Sequence, residues 1–132
     1  MAGSFADYLE LKILDHITGK TSYTMPTAYV GLSTADPLDT AAGLAEPSGN
    51  GYARVATDGD DWNAAASGAT SNANAITFPT ASGSWGTVTH FALFDAATSG
   101  NMLAHGALDS SQAITTNQIP RFAVGALDIT LG

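Results

Sequence analysis

The spacing of apolar positions changes once along the chain, from a helical period to an extended one. Near the N-terminus, large apolar residues recur at every fourth position, at Phe5, Leu9, Ile13 and Ile17. This spacing places them on one face of an α-helix. Ser4 is positioned to cap the first turn, with Asp7 three residues further on as in a capping box, and Gly19 is suited to end the helix. The pattern predicts a helix over about residues 4–19, from Phe5 to Thr18.

The apolar stripe of this helix is wider than one neighbouring sheet can cover. Tyr8, Leu11 and Leu14 extend it until apolar residues occupy most of the circumference. The excess surface is either embedded deeply in the core of the domain or in contact with another subunit. Under the second interpretation, these three residues are predicted contacts with a partner.

After Gly19 the pattern becomes extended, with short apolar runs separated by turn residues. Strands are predicted in "TAYVGLST", "YARVAT", "ATSNANAITFPTA", "SWGTVTHFALFDAATSGNMLAHGAL" as a hairpin, and "PRFAVGALDITLG". Six or seven strands and one helix predict a mainly β fold. We expect a β-sandwich or small β-barrel over residues 23–132 with an N-terminal α-helix packed on it, and a single domain over residues 1–132.

A long segment of irregular composition, residues 35–51, interrupts the strands. It is rich in Pro, Gly, Asp and Ala. Loops of this length are uncommon in compact domains and are often functional. Pro37, Leu44 and Pro47 are therefore added to the predicted partner contacts.

Charge and composition exclude several classes of function. Four Lys and Arg residues stand against 12 Asp and Glu, giving a net charge of −8, so a nucleic acid partner is not expected. No apolar run approaches the ~20 residues of a membrane helix, and no secretion signal begins the sequence, so no membrane partner is expected. The absence of cysteine excludes disulfides, thiolate metal sites and thiol catalysis.

Charged residues make up 12% of the chain, about half of the usual ~25%. Proteins packed against many copies of a neighbour can dispense with a charged coat. A β-rich domain with Thr, Ser and Asn on its outer faces is the alternative explanation.

The candidate chemistry of the chain is sparse. A turn at residues 96–101 would pair Val88–Asp95 with Met102–Asp109 and bring His90 close to His105. Two imidazoles can bind a metal, but no third ligand is evident. Strand histidines bonded to backbone or solvent are the preferred interpretation.

No other motif predicts an active site. "TDGDDW" lacks the spacing of a calcium loop, and the chain has neither a Gly-x-Ser-x-Gly elbow nor a suitable carboxylate pair. We therefore expect no enzyme activity, no metal and no cofactor.

Three further features are predicted to fix the shape of the fold. Gly49 and Gly51 around Asn50 allow a turn with positive φ. Arg54 is expected to bind a carboxylate or backbone carbonyls. Trp85 is expected to pack across the end of the sheet while its indole N–H reaches a carbonyl.

Several stretches together resemble a group of small tailed-bacteriophage virion proteins. They are "FADYLELKILDHITGKTSYTMP", "YVGLSTADP", "EPSGNGYARV", "WGTVTHFALFDAATSGNMLAHGAL" and "LDITLG", in this order over nearly the whole chain. Members are described as head decoration (cement) proteins or as tail-fibre-like proteins. The resemblance implies a non-enzymatic virion structural protein, assembled in the host cytoplasm.

Two hypotheses follow from the resemblance. In the first, the protein is a capsid decoration module that stabilises the shell, with the major capsid protein and neighbouring virion subunits as partners and a homo-oligomer, such as a trimer, on the particle. In the second, it is a tail- or head-fibre-associated protein that faces the host, with hydroxyl-rich loops and exposed aromatics that touch carbohydrate. The absence of a coiled-coil or repetitive shaft from the sequence favours the first.

Overall fold

The computed structural model describes residues 1–131, which form nine β-strands and one α-helix. In chain order they are β1 (Ala2–Phe5), α1 (Asp7–Ile17), β2 (Tyr29–Ser33), β3 (Val55–Ala56), β4 (Ala69–Ser71), β5 (Ile76–Thr77), β6 (Gly86–Phe94), β7 (Met102–Ile114), β8 (Arg121–Phe122) and β9 (Asp128–Thr130). A short 3-10 helix, Gly59–Asp61, lies between β3 and β4. No helix within residues 1–131 has the length and apolar character required to cross a bilayer.

Seven of the strands form one curled sheet. Its order is β3-β2-β6-β7-β1-β9-β4, and every neighbouring pair is antiparallel except β1 and β9. β5 and β8 form a separate two-stranded sheet. The prediction of a mainly β fold with one N-terminal helix is confirmed, and the large sheet is a half-barrel.

The helix begins later than the sequence pattern predicts. Ser4 and Phe5 belong to β1, and Ala6 occupies the N-cap position without a side-chain capping bond. The predicted capping box is therefore wrong. Pairing of β1 with both β7 and β9 satisfies more backbone N–H and C=O groups than one helix cap can. These strand contacts therefore override the preference of Ser4 for the cap position.

The predicted end of the helix is confirmed. Gly19 has a φ of +77° and donates its N–H to the carbonyl of His16, while Lys20 donates to the carbonyl of Asp15 at 2.9 Å. This pair of bonds is a Schellman motif, which favours glycine because the residue after the cap is left-handed.

The predicted hairpin is β6 and β7. His90 pairs with Ala107 and His105 pairs with Ala92, so the histidines are diagonal neighbours on one face. β7 is longer than expected and continues to Ile114. Between the pairs His90–Ala107 and Val88–Gln112 the register shifts, so β7 carries extra residues over 108–111.

Each of two predicted strands is divided between the two sheets. The stretch 69–81 supplies β4 and β5, and the C-terminal stretch supplies β8 and β9. Asn72, which is fully buried, lies at the first division. Its side chain accepts from Leu127 N–H and donates to the carbonyls of Asn74 and Ala123, each at 2.9 Å. These bonds supply the turn with polar partners that a strand ladder would otherwise provide.

The core lies on the inner side of the half-barrel and under α1. Its largest completely buried side chains include Phe91, Phe94, Leu127 and Val30, and Leu9 is buried from the helix. Gly3 and Gly106 lie opposite each other on β1 and β7. A Cβ on Gly106 would lie 2.6 Å from the carbonyl oxygen of Ala2 and 2.8 Å from the Phe91 ring. The close packing of these strands over Phe91 therefore requires glycine.

Candidate interaction site

The outer side of α1 presents a row of apolar side chains to solvent. Leu11, Leu14 and Ile17 are 64%, 55% and 70% exposed, and their spacing of three places them along one side of the helix. We call these three residues the helix face. The excess apolar surface predicted from the sequence is thus present, and it is not covered by the protein's own sheet.

Tyr8 lies apart from this face. It is half-buried and packs against the main core, and the Lys12 ammonium lies 5.4 Å from its ring centroid. Of the three predicted helix contacts, Leu11 and Leu14 are more than half exposed and Tyr8 is accessible only in part.

The predicted contacts in the segment 35–51 are less exposed than expected. Pro37 is completely buried, so it is unavailable to a partner in this conformation. Leu44 is half-buried against a small core cluster that includes Ala92 and Phe94, and Pro47 is half-buried. The segment folds back on itself, with Gly43 N–H bonded to the Pro37 carbonyl and Thr34 N–H to the Ala45 carbonyl. Leu38, 50% exposed, is its outward apolar side chain.

A buried ionic cluster holds this segment to the sheet. The Arg54 guanidinium, whose side chain is 5% exposed, binds both carboxylate oxygens of Glu46 at 3.0 and 2.5 Å. It also donates to the carbonyls of Ala96 and Ser99, each at 2.8 Å, and its Cζ lies 3.5 Å from the centroid of Phe94. The prediction that Arg54 binds a carboxylate or carbonyls is confirmed on both counts.

Tyr52 completes the cluster. Its hydroxyl donates to Glu46 Oε2 at 2.6 Å and accepts from the Leu32 N–H at 3.0 Å. Burial, followed by the hydrogen bond to Glu46, raises the pKa of Tyr52 above its ordinary value of 10.0. The tyrosine therefore stays neutral and donates to the carboxylate over the ordinary pH range.

The turn before Tyr52 also follows the prediction. Gly49, Asn50 and Gly51 all have positive φ. The carbonyl of Asn50 accepts the indole N–H of the buried Trp85 at 2.8 Å. Trp85, which begins the stretch that contains the histidine pair, therefore has a structural role.

Each of the two histidines faces an aspartate that the sequence pattern did not associate with it. His105 Nε2 lies 2.6 Å from Asp39 Oδ1, and His90 Nε2 lies 3.9 Å from Asp36 Oδ1. His90 Nδ1 is also 2.8 Å from the Thr89 hydroxyl. Among residues 1–131 no three His, Asp or Glu side chains form a group that could hold a metal ion. The arrangement serves to hold the segment 35–51 against β6 and β7.

Two of the three aspartates of "TDGDDW" likewise accept hydrogen bonds at their own turn. Asp58 and Asp61 form a reciprocal capping box around the 3-10 helix. Hydrogen bonds from the Asp58 N–H and the Asn74 side chain lower the pKa of Asp61. These carboxylates thus have backbone partners and lack the arrangement of a calcium loop.

Exposed aromatic side chains, which the host-facing hypothesis expects, are absent from residues 1–131. All five phenylalanines, four tyrosines and two tryptophans are buried or half-buried. A flat exposed ring on which a sugar could stack is therefore missing from the part of the chain that the structure describes.

Comparison with known families identifies the group to which this scaffold belongs. A family model described as podophage GP4 fiber I protein gp80 matches residues 4–130, and the chain belongs to this family. A search of curated proteins finds no match. The protein is thus a non-enzymatic structural component of the virion, in a family of phage fibre proteins. The family supports the fibre-associated hypothesis better than the capsid decoration hypothesis.

Proposed function

We propose that the protein is a fibre subunit that associates with neighbouring copies of itself through the helix face. The observation that carries this proposal is the exposure of Leu11, Leu14 and Ile17 on one side of a well-formed helix. A fibre is built from repeated subunits, so a second copy is the partner that such a surface would meet most often.

The energy available at this surface is moderate. Burying a Leu or Ile side chain contributes roughly 1.5–3 kcal/mol, so covering the exposed parts of the three residues would contribute about 4 kcal/mol per subunit. Association of free subunits costs about 4–15 kcal/mol in lost rigid-body freedom. The isolated protein should therefore associate weakly, and the high local concentration within a fibre would stabilise the contact.

In a symmetric homo-oligomer, such as a trimer, the helix faces of neighbouring subunits would be covered by contacts around a closed ring. Contacts with the major capsid protein would instead be expected of a decoration module. The fibre family to which the chain belongs favours neighbouring fibre subunits as partners. The net charge of −8 continues to disfavour nucleic acid.

The test is a double substitution, Leu11→Glu with Leu14→Glu, followed by sedimentation at protein concentrations from roughly 10 μM to 1 mM. The wild type should form an oligomer as the concentration rises, and the variant should stay monomeric with a melting temperature close to that of the wild type. Val124→Glu is the matched control, because Val124 is 64% exposed and lies outside α1.

Leu9→Glu serves as the unfolding control, because Leu9 is buried in the core. A wild type that stays monomeric over the whole range would overturn the proposal. So would a double variant that unfolds as Leu9→Glu does.

A further inference from the structure

A cavity runs beside the C-terminal half of β7. It has a volume of about 510 Å³ and lies between residues 108–114 on one side and residues 118–122 on the other. Its floor is apolar and includes Leu32, Phe78, Val88 and Phe122. We call this cavity the β7 groove. It lies away from the helix face, since none of the residues that line it belongs to α1.

One side of the groove is formed by the second half of β7. Residues 108–110 and 112–114 of the strand line it. The pairing of β1 with β7 ends at Gly106. Beyond this point, no strand within residues 1–131 pairs with β7 on that side. The main-chain donors and acceptors of this edge can therefore pair with an added strand.

The charge at the rim differs from that of the rest of the molecule. Arg121 lines the groove and forms no ion pair within residues 1–131. The nearby Asp109 carboxylate is paired with the terminal ammonium of Met1 at 3.0 Å. The rim thus offers an unpaired cation on a chain with a net charge of −8, and Gln112 and Gln118 add side-chain amides.

We propose that the β7 groove binds an extended segment of another protein by strand addition. The segment pairs with the edge of β7, inserts apolar side chains toward Phe78 and Phe122, and presents an acidic side chain to Arg121. Residues 108–114 span roughly 20 Å in an extended conformation, so the segment is about seven residues long.

Two other occupants fit less well. Phe78 and Phe122 are 2% and 6% exposed, so neither ring offers a face on which a sugar could stack. A second copy of the chain would have to donate a segment that lies outside its own helix and strands, such as residues 22–28. That segment contains no carboxylate, so it does not complement Arg121.

The test uses a blocked heptapeptide, Thr-Val-Thr-Val-Glu-Val-Thr, and a matched peptide with Lys in place of Glu. Each is titrated into the isotopically labelled full chain while backbone amide signals and hydrogen exchange are followed. The Glu peptide should shift and protect amides within residues 109–113. Arg121→Gln should weaken its binding about fivefold, the size expected for one exposed ion pair. Lys20→Gln, which removes an exposed cation elsewhere, should leave the binding unchanged.

A second variant tests the backbone pairing. Ser110→Pro removes an N–H from a stretch of β7 that is not paired with β6, and it should abolish peptide binding. If this variant unfolds, the proposal is tested by the amide shifts of the wild type and by the comparison with Arg121→Gln.

The titration is repeated on the Leu11→Glu, Leu14→Glu variant, so that self-association through the helix face is measured separately. Absence of shifts within residues 109–113 would overturn the proposal, as would equal binding of the two peptides. It would also fail if those amides changed only with protein concentration, which indicates a second copy, or only on addition of oligosaccharide.

Discussion

Replacing Glu46 by Gln should destabilise the fold far more than its position in an irregular segment suggests. The substitution keeps the shape of the side chain and removes its charge. The guanidinium of Arg54, with 5% of its side chain exposed, would then be buried without an anionic partner. Removal of one partner from a buried ion pair costs about 3–5 kcal/mol.

The structure places the expected cost at the lower end of that range, about 3 kcal/mol. Glu46 is 20% exposed, so water screens the pair in part. The carbonyls of Ala96 and Ser99 and the ring of Phe94 would still stabilise the cation. For a domain of this size, such a loss lowers the melting temperature by roughly 10 °C.

Urea unfolding followed by tryptophan fluorescence measures this effect, because Trp85 is buried and becomes exposed on unfolding. Asp36→Asn is the matched control. Asp36 lies in the same segment, but its carboxylate is 56% exposed and 3.9 Å from His90, so its loss should cost less than about 1 kcal/mol.

A double-mutant cycle with Arg54→Met isolates the ion pair. If the buried cation causes the loss, the double variant should be more stable than the sum of the two single losses predicts. Additive losses would refute the reasoning, as would a cost for Glu46→Gln no larger than that of Asp36→Asn.

Two further predictions concern Tyr52 and Gly106. Because the pKa of Tyr52 is raised above 10.0 in the folded state, its contribution to stability is present below pH 10 and is lost as the pH rises above it, by about 1.4 kcal/mol per pH unit. Urea unfolding at several alkaline pH values should show that the free energy of unfolding falls less steeply with pH in Tyr52→Phe than in the wild type. An equal slope in the two proteins would contradict the burial of the Tyr52 hydroxyl. Gly106→Ala should destabilise the protein by more than about 3 kcal/mol through backbone clash, whereas Gly59→Ala, whose Cβ would meet nothing within 4 Å, should be tolerated. Thermal unfolding compares the two, and equal melting temperatures would refute the close approach of β1 and β7.

The features that the sequence predicted well are those determined by nearby residues. The glycine that ends α1, the positive-φ turn at residues 49–51 and the β6–β7 hairpin all depend on residues close in the chain. Arg54 was predictable for a different reason. A buried cation must find an anion or carbonyls, so its kind of partner could be predicted although the identity of Glu46 could not.

The features that were missed depend on contacts distant in sequence. β1 is formed by four residues with no alternating pattern, and it exists because β7 and β9 flank it. The hydroxyl of Thr130 bonds to the carbonyl of Gly3 at 3.0 Å across 127 positions. The burial of Pro37 and the pairing of His105 with Asp39 arise in the same way, from a loop that folds back onto the sheet. The residue types of this loop do not indicate that it folds back onto the sheet.

The distribution of apolar surface explains how a protein with so few charges can serve in an assembly. Aromatic side chains, which dominate core energetics, are all buried or half-buried, while the aliphatic Leu11, Leu14 and Ile17 are exposed on α1. The β7 groove lies on other elements and combines an apolar floor with an unpaired backbone edge. One flat apolar face suits a symmetric contact between identical subunits, whereas a groove with a strand edge suits an unlike partner. A subunit with both could associate with its own copies at α1 and receive a different protein at β7 simultaneously, because the two surfaces share no residue.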